Sequence, residues 1–250
     1  MHTRCSRIIP VLVILATASA LCGCAGGPNG PVLAPIDVNG RSTISQARLT
    51  WYPNAPERPQ PGSLSFGVEA EYARAITQGD QTVNANEAIT LKGNSIFGPQ
   101  EVRHHADLRY GHLGMGVIKR FSGMLSGLEL EVFAGLGETR LDLRSSIRTS
   151  TPGTLDATYA SSGISLGVGP RFDLTDKLAI EARLQVLNGL PLSWRDRLVY
   201  PEIGFRYRPV RNLALRAGYA QLEYTPARNG GDSSINVRAR GPFLGLQLAF

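Results

Sequence analysis

Between Ser63 and Phe250 this chain holds eight segments in which apolar residues recur at every second position, and no other feature narrows its fold so sharply. Successive strand side chains point to opposite faces, whereas a helix would space its apolar stripe by three and four. In SLSFGVEAEY, Leu64, Phe66, Val68, Ala70 and Tyr72 share one face, opposite Ser65, Gly67, Glu69 and Glu71. LELEVFAGL sets Leu128, Leu130, Val132, Ala134 and Leu136 against Glu129, Glu131, Phe133 and Gly135. GISLGVGPRF, LAIEARLQV, VYPEIGFRYR, LALRAGY and the closing GPFLGLQLAF repeat the arrangement, and HLGMGVIKRF follows it less cleanly.

These eight segments make the chain all-β, most of them close to the roughly 9–11 residues that a tilted strand needs to cross a hydrocarbon core. A soluble sandwich would alternate too. Its polar face would favour lysine, threonine and serine, but here that face carries glycine, glutamate and arginine, which suit a narrow interior. A barrel of about eight strands is only just wide enough inside for side chains to fill. The inward set comprises Glu69, Glu71, Glu129, Glu131, Glu181 and Glu202, with Arg171, Arg183, Arg206, Arg208 and Arg216 against them. Ions buried in such a lumen need partners to offset desolvation, and a guanidinium meets a carboxylate with two parallel hydrogen bonds. The expectation is an eight-stranded antiparallel up-and-down transmembrane β-barrel over residues 63–250, with its lumen closed by ion pairs.

The connections support a sidedness. Those at Ser122–Ser126, Asp173–Asp176 and Pro209–Arg211 are short, and those at Thr77–Val102, Arg144–Ala157, Asn188–Asp196 and Pro226–Ser233 are longer. Short periplasmic turns opposite longer outside loops are the habit of outer-membrane barrels. An even strand number returns both ends of the barrel to the periplasm. A ten-strand version would add Ile44–Tyr52 and Thr82–Lys92.

At the other end of the chain, Arg4 and Arg7 precede an apolar stretch from Ile8 to Leu21, the layout of a secretory signal over residues 1–23. That stretch is shorter than the about 20 residues of a spanning helix. Residues 24–62 hold Pro28, Pro31, Pro35, Pro53, Pro56, Pro59 and Pro61 and read as an extended periplasmic tether. Leu21-Cys22-Gly23-Cys24 resembles the lipobox of bacterial lipoproteins, which implies cleavage before Cys24 and a diacylglycerol on its sulfur; Ala18-Ser19-Ala20 offers ordinary signal cleavage instead. Ala25 stands where an aspartate would retain such a protein at the inner membrane, so the resemblance implies outer-membrane sorting.

The alternating region, ending in Leu244, Leu246, Leu248 and Phe250, resembles the small outer-membrane barrels of the OmpA-transmembrane, OmpX and opacity-protein kind. The resemblance implies that the terminal strand is read by the barrel-assembly machinery and that the partners are outer-membrane lipids and lipopolysaccharide. Without the leader's Arg4 and Arg7 the formal charge falls from +6 to +4, a mild excess with no Lys/Arg-rich run to point to nucleic acid.

Candidate chemistry is sparse. Gly163-Ile164-Ser165-Leu166-Gly167 matches G-x-S-x-G, but that motif works on a strand-turn-helix corner, and here Ser165 falls in mid-strand. His104 and His105 point to opposite faces of one strand, which spoils them as joint metal ligands. His112-Leu113-Gly114 lacks the serine of the His-x-Ser motif found in lipid A deacylases. The sequence therefore predicts no catalytic residue, metal or cofactor. It leads to a structural or surface barrel whose external loops contact partners, with a lipid-modifying enzyme and a narrow pore as the other classes.

Overall fold

The computed structural model describes residues 31–52, 62–122, 127–148, 153–189, 196–227 and 230–249. The leader 1–23, Cys24 and Phe250 lie outside them. Among the described residues the chain is all strand and turn, with no helix. In order, the strands are β1 (Val32–Leu33), β2 (Ile36–Arg41), β3 (Ile44–Trp51), β4 (Leu64–Val83), β5 (Glu87–Leu91), β6 (Asn94–Phe97) and β7 (Gln100–Arg120). Then come β8 (Leu128–Ile147), β9 (Thr154–Asp173), β10 (Leu178–Gly189), β11 (Arg197–Val210), β12 (Leu213–Thr225) and β13 (Ile235–Ala249).

Neighbours from β3 through β4 and β7 to β13 pair antiparallel, and β13 then pairs with β3 to close a ring of nine strands. Eight strands were expected. The ninth is β3, with Thr50 opposite Glu69 on β4 and opposite Ala249 on β13. The joint between β13 and β3 is parallel, and β2 extends it with Ile235 opposite Ile36. One parallel joint is what an odd ring requires: an up-and-down circuit of nine brings its first and last strands together pointing the same way. Residues 36–51, read from sequence as part of an extended tether, are thus wall strands. Of the two segments added in the ten-strand version, Ile44–Tyr52 joins the ring, while Thr82–Lys92 finishes β4 and forms β5, which pairs with β6.

The chain bends between β2 and β3, where Ser42 N–H donates to Arg240 O at 3.0 Å. The Ser42 carbonyl there comes so close to Gly241 that a Cβ at that position would overlap it. Glycine is the residue that lets one backbone approach another this closely.

Two rims follow. The turn rim carries the connections at 52–63, 121–127, 174–177 and 211–212 and ends with Ala249. The loop rim carries 84–99, 148–153, 190–196 and 226–234, and it is where Ile36 enters the wall. The two ends of the ring therefore lie at opposite rims rather than together.

Polarity reverses along the long strands. In the half of β4 nearer the turn rim, Leu64, Phe66, Val68 and Tyr72 are exposed outside while Glu69 and Glu71 are buried inside. In the other half Ala73 and Ala75 face inward, while Arg74, Gln78 and Asp80 face out. The interior near the loop rim is thus an apolar core built from Ile36, Val38, Val102, Leu108, Leu141, Leu198, Leu222 and Val237 among others, with Ile89, Leu91 and Ile96 packed into it. Outside it, Arg74 meets Asp107 at 2.8 Å, Arg103 meets Asp80 at 2.9 Å and Arg144 meets Asp156 at 2.7 Å.

Candidate functional site

The charged half of the interior is assembled from side chains that alternate inward on seven wall strands. β4 supplies Glu69 and Glu71, β8 Glu129 and Glu131, β9 Arg171, and β10 Glu181 and Arg183. β11 supplies Glu202 and Arg206, β12 Arg216, and β3 adds Arg48. β10 and β11 each carry one acid and one base, but β4 and β8 bring only glutamates inward and β3, β9 and β12 only arginines, so their charges offset one another only when the ring closes.

Arg48 is central. Its Nη2 lies 3.0 Å from both Glu71 Oε1 and Glu202 Oε1, and its Nε is 3.9 Å from Glu69 Oε2. Arg183 donates from Nη1 to Glu69 Oε2 at 3.0 Å and lies 3.4 Å from Glu71 and 3.7 Å from Glu131. Its guanidinium also stacks 3.7 Å from the centroid of the Phe133 ring, an attraction that strengthens away from water. Arg216 reaches Glu181 and Glu202 and donates to Gln46 Oε1 at 2.9 Å. Glu129 is clasped by Arg120 and Arg171, and Tyr52 O–H donates to Glu131 at 2.7 Å. The side chains of Arg48, Glu69, Glu71, Arg183, Glu202 and Arg216 are each at most 4% exposed. Charges so fully desolvated are tolerable only as a connected set, because leaving one unpaired costs on the order of 3–5 kcal/mol.

Two arginines expected in the network stand apart from its glutamates. Arg206 is buried but forms no ion pair with them, because its register neighbour Arg216 already takes Glu181 and Glu202. Arg208 is half-buried among the turn-rim residues Asp173, Thr175 and Lys177. Arg48, Tyr52 and Gln46 were missed, although Ile44, Gln46, Arg48 and Thr50 alternate with Ser45, Ala47, Leu49 and Trp51 as regularly as any later segment. Proline on both sides makes that stretch read as tether, with a strand there only in the ten-strand version, so its inward residues were not counted in the lumen.

Above the ions lies a neutral polar layer. Tyr110 and Ser165 share a hydrogen bond of 2.8 Å, Gln185 donates to Ser165 Oγ at 3.2 Å and also reaches Tyr110, and Tyr200 meets Tyr110 edge to face at 6.3 Å. Ser165 therefore faces the lumen from mid-strand, with a tyrosine and a glutamine rather than a histidine beside it.

The histidines diverge. His104 points inward to Ser145 Oγ at 2.8 Å and Gln81 Oε1 at 3.2 Å, and burial pushes its pKa down to about 4 against the opposing pull of Asp80. His105 lies beside Gln78 at 3.2 Å, and His112 stands edge-on to Phe133. Asp107 faces outward near the loop rim. Partial burial raises its pKa, but hydrogen bonds from Arg74 and Arg109 outweigh this and hold it near 2. Among the described residues no three His, Cys, Asp or Glu side chains gather as metal ligands.

On the outer wall, nine-residue stretches at 64–72, 128–136, 164–172, 178–186 and 199–207 line up in register to form one apolar belt next to the turn rim. Leu244, Leu246 and Leu248 belong to it, at 66%, 54% and 43% exposure. No family model, no curated protein and no solved structure matches this chain.

Proposed function

We propose that the chain is a bacterial outer-membrane β-barrel of structural or surface role, held by an internal ion-pair network and without an open conduit. The observation that carries this reading is the belt: a continuous outward surface of leucine, phenylalanine, valine and tyrosine surrounding buried glutamates and arginines. In water that arrangement is upside down, since a contiguous apolar patch beyond a few hundred Å² marks an interaction surface. Against hydrocarbon it is the favourable one. Nine residues at about 3.3 Å rise and 40° tilt give a band of about 20–25 Å, the height such barrels present to lipid. The polarity reversal supports the same reading, because strands continuing past the membrane into water need their apolar residues inside.

A closed lumen is favoured over a pore by what crosses it. The ion-pair network, the tyrosine and glutamine layer and the apolar core follow one another from turn rim to loop rim, and each is made of side chains almost without exposure. With the turn rim in the periplasm, the loop rim and the β5–β6 hairpin are what the cell displays.

The test is the electrophoretic mobility of the protein extracted from outer-membrane fractions, with and without boiling. A folded barrel migrates differently from its boiled form and sediments with the membrane. A folded protein recovered in the soluble periplasmic fraction would refute the proposal.

A further inference from the structure

We propose that the chain enters the barrel from the loop rim, so that the segment leading into β2, Leu33–Pro35, lies on the cell-surface side while the end of β13 lies on the periplasmic side. The inference rests on the outer-membrane reading above, and it reverses the expected periplasmic tether.

The argument starts from register. β2 and β3 run parallel to β13, from Ile36 opposite Ile235 to Thr50 opposite Ala249. The last residues of β13 lie at the turn rim, so the first residues of β2 lie at the loop rim. Two contacts outside the ladder agree: Ala34 N–H donates to Ala88 O at 2.9 Å, and Gln81 donates to Pro35 O at 2.7 Å. Ala88 and Gln81 both belong to the loop-rim end of the molecule. Had the ring closed with eight strands, Leu64 would have been its first residue, and the upstream chain would have emerged at the turn rim with the C-terminus. One extra strand moves the upstream chain to the other side.

Three cysteine substitutions test the sidedness. The chain's own cysteines are Cys5, Cys22 and Cys24, all upstream of the ring, and the wild type serves as background control. Val32→Cys sits at an exposed position just before the ring, Gly230→Cys in a loop-rim connection and Asp176→Cys in a turn-rim connection. Intact cells and cells with a permeabilised outer membrane are treated with a membrane-impermeant maleimide. Labelling of Val32→Cys and Gly230→Cys on intact cells, with Asp176→Cys labelled only after permeabilisation, is the expected result. Val32→Cys shielded like Asp176→Cys, while Gly230→Cys labels from outside, would overturn the inference and leave the membrane reading standing. All three recovered in a soluble periplasmic protein would defeat the membrane reading itself, and the inference with it.

Discussion

Replacing Arg48 by methionine tests the network and the ninth strand together. The substitution removes the central cation but keeps an unbranched side chain of similar length, so packing changes little and charge changes most. In the native ring Arg48 serves Glu71 and Glu202 at 3.0 Å each. After the change Glu202 still has Arg216 and Gln46, and Glu71 still has Arg183 at 3.4 Å. The loss therefore falls at the lower end of the about 3–5 kcal/mol that breaking a buried ion pair costs, near 3 kcal/mol. Arg144→Ala provides the scale. It also breaks an ion pair, with Asp156, but those side chains are 66% and 60% exposed, and such pairs contribute about 0–1 kcal/mol. Urea unfolding of the purified protein in detergent, followed by far-UV circular dichroism and by heat-modifiable mobility, separates the two values. Adding Glu202→Gln to Arg48→Met should recover part of the loss, because the orphaned carboxylate is then neutral; pairs in contact typically couple by about 0.5–3 kcal/mol. Equal effects of Arg48→Met and Arg144→Ala would refute the reasoning, since a residue in a solvated tether has nothing buried to lose.

Three further outcomes follow from the same geometry. On the proposed outer-membrane reading, Leu246→Arg should destabilise the folded ring by about 2–4 kcal/mol, and more than Gln247→Arg, whose side chain points inward towards Thr50; unfolding midpoints in lipid vesicles compare them, and an equal or smaller loss at Leu246 would count against the belt. Gly241→Val should prevent closure of β13 against β2, because its Cβ would overlap the Ser42 carbonyl, and the heat-modifiable fraction should fall sharply while Gly230→Val leaves it unchanged. The buried His104 has a folded pKa near 4 against 6.5 when unfolded, so the unfolded chain binds the extra proton between those values. Stability is then fully present above about pH 6.5 and declines as pH falls towards 4, by on the order of 3 kcal/mol from this residue; His104→Asn should flatten that part of the pH dependence of the melting temperature, and an unchanged profile would show that His104 titrates normally.

Belt and lumen were legible in the sequence because both are local consequences of strand geometry. A period of two assigns each residue to a face without reference to any partner, so Glu69, Glu129, Arg183 and Arg216 could be placed inside, and Leu166, Phe205 and Leu246 outside, from spacing alone. The same rule could not see that the strands continue. Beyond Tyr72, and before Tyr110 on β7, the inward face becomes apolar and the outward face charged, so the pattern no longer repeats the belt even though the backbone pairs without a break from Leu64 to Val83. Alternation reports which residues share a face, not which face is wet.

Strand number, pairing partners and sidedness are properties of closure, and closure is set by contacts between residues far apart in the chain. Arg48 alternates correctly with Leu49 in the sequence, yet only its position between β4 and β13 turns it from a tether residue into the cation that joins Glu71 to Glu202. Arg206 shows the converse: spacing puts it inside, but it meets none of the network's glutamates, because Arg216 across the ladder takes Glu181 and Glu202. The sequence by itself determined an all-β chain with an apolar outside and an ionic inside, because side-chain direction along a strand is a local matter. Only the tertiary structure decided that nine strands close the ring with one parallel joint, and with that the rim at which the chain comes in, because a single added strand reverses the direction of entry without altering any residue's face.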